Sequence, residues 1–245
     1  MSNIRSIINK YGKPNIFINA KCNEIWPEII QQLLPGQQTH HRQYIIIKAL
    51  KDRLQLLITN LRRRVYFGGN IVEYIFYWID FPSGKLPSVG IAVKFINVHI
   101  RTIEESINFV DLYLKAENPS LYDTRDEFMD MSIAEYKIYR RLVNNFMIHK
   151  CCQSKCKTDK NNICKKGCNP NVIVPKTYIN EKGVMMYRRR RLSDAYVDPH
   201  NPQALLDWEG HVSVLFIPAA IELLDMYKLF SKSEAKPVVF IVNNY

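Results

Sequence analysis

Residues 74–94, YIFYWIDFPSGKLPSVGIAVK, limit the possible folds more than any other stretch. Two runs rich in β-branched and aromatic residues flank Pro82-Ser83-Gly84-Lys85, a Pro/Gly turn signal. That pattern predicts a β-hairpin in the middle of a sheet.

The surrounding chain supplies the other elements. Asn15–Asn19 reads as a short strand, and Trp26-Pro27 opens a helix carrying Ile29, Ile30, Leu33 and Leu34 that stops at Pro35-Gly36. From Tyr44 to Leu61, Ile46, Ile47, Leu50, Leu54, Leu57, Ile58 and Leu61 recur at helical spacing, the mark of a core-facing amphipathic helix. Arg62-Arg63-Arg64 closes it, either as cations at a helix C-terminus or as phosphate contacts. Thr102-x-x-Glu105 and Ser132-x-x-Glu135 are capping boxes opening helices near 103–116 and 133–149. Strand character returns from Ile173 to Tyr187, and Asp198–Pro202 forms a turn. Residues 210–215 form a strand, 219–232 a helix, and 238–242 a terminal apolar run. The fold class expected is α+β, an antiparallel sheet flanked by helices. Its first part spans 14–149, a Cys/Lys-rich loop 150–171, and its last part 172–245.

Composition narrows the function. Lys+Arg 34 against Asp+Glu 23 gives a net charge of +11, which suits a polyanionic partner such as nucleic acid or, equally, charges spread over solvated faces. No apolar run reaches the roughly 18–20 residues of a membrane span. The first residues lack a signal core, so an intracellular chain is expected. Five of the six Cys fall between Cys151 and Cys168, which in such a chain suggests a metal site rather than disulfides.

Several pieces in order carry a resemblance: Cys22-Asn23, Trp26-Pro27-Glu28, Lys85-Leu86-Pro87, Met147-Ile148-His149, Tyr187 followed by Arg188–Arg191, and Asn201-Pro202 before Leu205-Leu206. Over roughly residues 14 to 232 the chain resembles the N-terminal replication-initiator (HUH endonuclease-like) domain of Helitron-type rolling-circle transposon proteins. The resemblance implies a ferredoxin-like initiator arrangement, entered part-way, with the Cys-rich loop as an insertion. It implies nuclear DNA, single-stranded or a transposon end, as partner.

It also implies a chemistry. In such a nickase two His at i and i+2 of a strand hold a divalent cation, since only those positions share a face, while a Tyr hydroxyl attacks the phosphate. The two His places here hold Ser88 and Gly90, and the paired-Tyr places on the late helix hold Met226 and Phe230. Asp80 and Tyr227 are the remnants. Catalytic magnesium or manganese is therefore not expected, and lost nicking is the leading expectation. The alternatives are a residual nickase or strand transferase using Tyr227, and a zinc-stabilised interaction module or transposon relic.

His149, Cys152, Cys156 and Cys164 supply one imidazole and three thiolates, enough for a structural zinc. Cys151 and Cys168 are alternates, and reduced Cys in a loose loop is the other reading. Lys165 and Lys166 beside that loop, with Arg188, Arg189, Arg190 and Arg191, form the expected DNA contact. The Arg run also reads as a nuclear-import signal or a solvated loop. No G-x-x-x-x-G-K-[ST] occurs, so no ATP site or helicase motor is expected within these residues, and no small-molecule substrate is evident.

Overall fold

A computed structural model describes residues 8–63, 65–82, 85–96, 102–119, 131–149, 173–218 and 240–243. Strand β1 (Ile16–Lys21) leads through a short helix, α1 (Pro27–Ile30), to the long helix α2 (Gln43–Arg62). The hairpin follows as β2 (Val72–Asp80) and β3 (Ser88–Phe95), with register pairs from Val72↔Phe95 to Asp80↔Ser88. Helices α3 (Ile103–Tyr113) and α4 (Ile133–Leu142) come next, α4 running into a single π-helical turn at Val143–Met147. Two-residue strands β4 (Tyr178–Ile179) and β5 (Met185–Met186) pair separately. Helix α5 (Pro202–Trp208), β6 (Val212–Phe216) and β7 (Phe240–Asn243) complete the described chain.

The main sheet has five strands in the order β6-β1-β3-β2-β7, and each neighbouring pair is antiparallel. The late strand β6 thus lies beside β1, so chain on both sides of the Cys-rich loop builds one sheet. Alternation divides its side chains between two faces. Ile16, Ile18, Ala20, Val89, Ile91, Val93, Val212 and Val214 meet the helices in the main core. Phe17, Tyr74, Phe76, Trp78 and Ala92 form a smaller cluster on the opposite face, with Ile8.

The helices follow their sequence signals closely. In α2 the buried residues are Ile45, Ile46, Ala49, Leu50, Leu54, Leu57, Ile58 and Leu61, with Ile45 rather than Ile47 on the inner stripe. Both capping boxes form: Thr102 Oγ1 accepts from Glu105 N at 3.1 Å and Ser132 Oγ from Glu135 N at 3.2 Å. Helix α3 ends at Tyr113 rather than near 116, and Lys115 instead forms an antiparallel bridge with His200.

The helix after Trp26-Pro27 is shorter than its apolar residues suggest. It spans four residues and buries Ile29, leaving Ile30 and Leu34 exposed. One turn is too short to present a stripe. Trp26 meets the apolar demand instead: it stands edge-on to Trp208 at 5.2 Å and donates its Nε1–H to the Trp208 carbonyl at 2.9 Å. Arg53 lies over the Trp26 ring and bonds Glu28, fastening α1 to α2.

Candidate functional site

The sheet face opposite the helices carries Ser88, Gly90 and Asp80, the places where the resemblance expects cation ligands. Strand β3 sets them out in rows across the sheet. Ser88 lies between Lys21 of β1 and Asp80 of β2, Gly90 between Asn19 and Trp78, and Ala92 between Phe17 and Phe76. Register partners of this kind stand about 5 Å apart. Ser88, Gly90 and Asp80 therefore come together on one face, as the i, i+2 spacing requires.

Their donor set is small. Asp80 contributes one carboxylate and Ser88 a hydroxyl, whereas hard divalent cations take six or more oxygens or imidazole support. Space is lacking as well. A β-carbon at Gly90 would overlap the six-membered ring of Trp78, which is stacked on Phe17 at 5.6 Å with 13° between the planes. Phe76 packs against the same indole at 5.5 Å, and Trp78 is 5% exposed. The indole is wedged between two rings and has no easy retreat, so any side chain at 90 must displace it. Among the described residues no group of three or more His, Cys, Asp or Glu is placed to hold a metal.

The remaining expected ligands and nucleophiles lie largely outside the described residues: Cys152, Cys156, Cys164, Lys165, Lys166, Met226, Tyr227 and Phe230. His149 is described; its backbone N–H donates to Tyr196 O at 2.7 Å. Burial pushes the hydroxyls of Tyr66, Tyr74, Tyr139 and Tyr187 well above the usual range, so each holds its proton.

The Arg run alternates as a strand should. Arg188 and Arg190 share one side and reach the same carboxylate, Glu117, whose side chain is 7% exposed. Arg190 grips it with Nε on Oε1 at 2.8 Å and Nη2 on Oε2 at 2.9 Å, and Arg188 Nη2 reaches Oε2 at 3.3 Å. Arg189 points the other way and donates to the carbonyls of Asp194 and Val197 at 3.1 and 3.0 Å. Arg191 is exposed, and its backbone N–H donates to the buried Asp194 carboxylate. Much of this run thus ties the segment down.

Sequence reasoning missed a buried polar chain around the Asp198–Asn201 turn. His200, with no exposed surface, donates Nδ1–H to the Asp198 carbonyl at 2.9 Å, since a carbonyl only accepts. Its Nε2 then accepts the Tyr139 hydroxyl at 2.8 Å. Burial lowers the His200 pKa from 6.5 to about 4, which keeps the ring neutral. The Asp198 carboxylate in turn accepts from His211 Nε2 at 3.0 Å. Asn201 caps α5 and also donates to the carbonyls of Tyr66 and Tyr113. The one advance signal was the Asn-Pro pair, which marks a cap; nothing local announces Tyr139, 61 residues away.

Comparison with known families gives one match. The Helitron helicase-like domain at the N-terminus matches residues 1–82, a stretch holding β1, α1, α2 and β2 with Asp80. Ser88, Gly90 and the Arg run lie beyond it. No curated protein matches the chain.

Proposed function

From a chain whose residues 1–82 match the Helitron helicase-like N-terminal domain, we propose a transposon-derived module that contacts DNA and does not nick it. One observation carries this reading: the Trp78 indole fills the space over Gly90, at the place where the resemblance expects an imidazole. A strand that once had to present two His now has a glycine packed under a ring and a serine beside a single carboxylate. A metal-polarised phosphate cannot form there without rebuilding the sheet face.

The strand order supports the ferredoxin-like initiator arrangement as the ancestral frame. β6-β1-β3-β2 is the order that a split β-α-β, β-α-β chain produces, with β7 added outside β2. The basic balance of +11 supports a nucleic-acid partner. The exposed Arg191, the neighbouring Arg188 and the loop lysines Lys165 and Lys166 are the proposed contacts. Zinc on His149, Cys152, Cys156 and Cys164 is the proposed means of ordering the Cys-rich loop, and the nucleus the proposed compartment.

The experiment is a pair of assays on the whole chain. Binding to labelled single- and double-stranded oligonucleotides should weaken linearly in log–log form as salt rises. Incubation with manganese should leave no protein covalently bound to DNA. Salt-independent or absent binding removes the DNA reading, and an adduct lost in Tyr227→Phe restores the nickase.

A further inference from the structure

We infer that the start of α2 is a binding surface for single-stranded DNA, with Tyr44 as its stacking platform and Arg42, Lys48 and Lys51 as its phosphate contacts. The surface uses none of the Arg run, and it rests on the DNA-contacting reading above. Tyr44, Lys48 and Lys51 stand at i, i+4 and i+7 of the helix, so they share one face within roughly 60°. None of them is among the residues that α2 buries. Tyr44 is 76% exposed, more than any other large apolar or aromatic side chain among the described residues. Just before it, the turn Thr39–His41 sets the His40 and His41 rings edge to face at 4.1 Å. His41 Nδ1 accepts the Gln38 N–H at 3.4 Å, which fixes that pair on the helix start. Residues 40 to 44 are all exposed, so aromatic faces and a guanidinium stand side by side in solvent.

Helix stability does not account for this arrangement. Arg42 occupies the N-cap without a side-chain cap bond, and no acidic residue stands in the first turn. A cation there opposes the macrodipole, and Ser, Asp or Asn would cap better. Lys48 and Lys51 lie beyond the first turn, and among the described residues neither side chain has an ion pair or hydrogen bond. Arg53 gives the contrast: turned inward on the same helix, it pairs with Glu28 and Glu209 at 2.9 and 3.5 Å. Two carboxylates border the surface, Glu24, which accepts from Thr39 Oγ1 at 3.3 Å, and Asp52, one turn beyond Lys48. Between Glu28 and Asp52 the chain carries no Asp or Glu at all, so the line from Tyr44 to Lys51 is cationic throughout. That line rises about 10 Å along the helix axis, enough for a few nucleotides. A duplex hides its base faces and a single strand offers them, and aromatic platforms flanked by cations suit the latter.

The test is binding of a short labelled oligothymidylate to the full chain and its variants over a range of salt. Tyr44→Ala should weaken binding about tenfold, the order expected for one stacked base, and Tyr44→Trp should keep it. Lys48→Gln and Lys51→Gln should each lower the log–log slope by about 0.7, the counterion share of one single-strand phosphate. These side chains are exposed, so melting temperatures should stay close to that of the unaltered protein. On a strand of abasic sites the unaltered protein and Tyr44→Ala should bind alike. A tenfold loss that persists on the abasic strand overturns the inference, since Tyr44 would then act without a base. Unchanged affinity in Tyr44→Ala, or unchanged slopes in both lysine variants, while the unaltered protein binds DNA, overturns it too and leaves the DNA reading standing. Tighter binding of a duplex of the same length likewise overturns it. Absence of any DNA binding by the unaltered protein sinks the underlying reading instead.

Discussion

The hydroxyl of Tyr139 lies 2.8 Å from Nε2 of His200, and both side chains are fully enclosed. Helix α4 is thereby pinned to the turn that starts α5, and through Asp198 to His211 at the sheet edge. The arrangement needs a neutral imidazole, because a proton on Nε2 would face a hydroxyl already donating to it.

Acid should therefore loosen the fold in a defined window. The His200 pKa in the fold is about 4 against 6.5 unfolded, so the folded state disfavours the added proton. Above pH 6.5 neither state is protonated and this cost is absent. As pH falls from 6.5 towards 4, the unfolded chain takes the proton first, and about 3 kcal/mol of stability is lost. Lys115 and His211 nearby oppose the charge, and Asp198 favours it. Urea midpoints across that range should show the slope, and His200→Gln should flatten it.

Gly90 and Trp78 should behave as one unit. Gly90→Ala forces a methyl into the indole and should cost about 1–3 kcal/mol. Trp78→Phe, a smaller ring, should relieve much of that penalty in the double variant, a non-additivity that a double-mutant cycle reads directly. Simple additivity would mean that the close approach carries no energy. Gly90→His with Ser88 also changed to His should destabilise further and bind no manganese, as followed by calorimetry.

Asn201 should outweigh the other helix caps. Thr102→Ala and Ser132→Ala each remove a surface cap, worth about 1 kcal/mol. Asn201→Ala removes a buried cap and also strands the Tyr66 and Tyr113 carbonyls, which it holds at 2.8 and 3.0 Å. A loss of about 3 kcal/mol is expected by chemical denaturation.

The zinc proposal has its own readout. Native mass spectrometry of freshly purified protein should show one zinc per chain, lost in Cys152→Ser and in Cys156→Ser. A metal-free mass for the unaltered chain would remove zinc from the account.

Some parts of this fold were legible residue by residue. The hairpin between Tyr74 and Lys94 announced itself through β-branched runs around a Pro/Gly turn. Helix α2 announced itself through its apolar spacing, and α3 and α4 through Ser/Thr-x-x-Glu caps. These are local signals, set by side-chain sterics and by hydrogen bonds spanning three or four residues. The position of Ser88 and Gly90 on one face was legible too, because strand alternation is a property of the backbone.

What the chain's order alone determined was thus an inventory of elements, a basic balance, and a serine and a glycine at alternate places of one strand. Tertiary packing alone decided that Trp78 closes the space over Gly90, that Glu117 captures Arg188 and Arg190, and that Tyr139 finds His200. Each of those pairs joins separate elements or strands, and their meeting depends on how the sheet stacks and the loops return. No periodicity encodes that, because the energy lies in burial and pairing between groups that the sequence keeps apart.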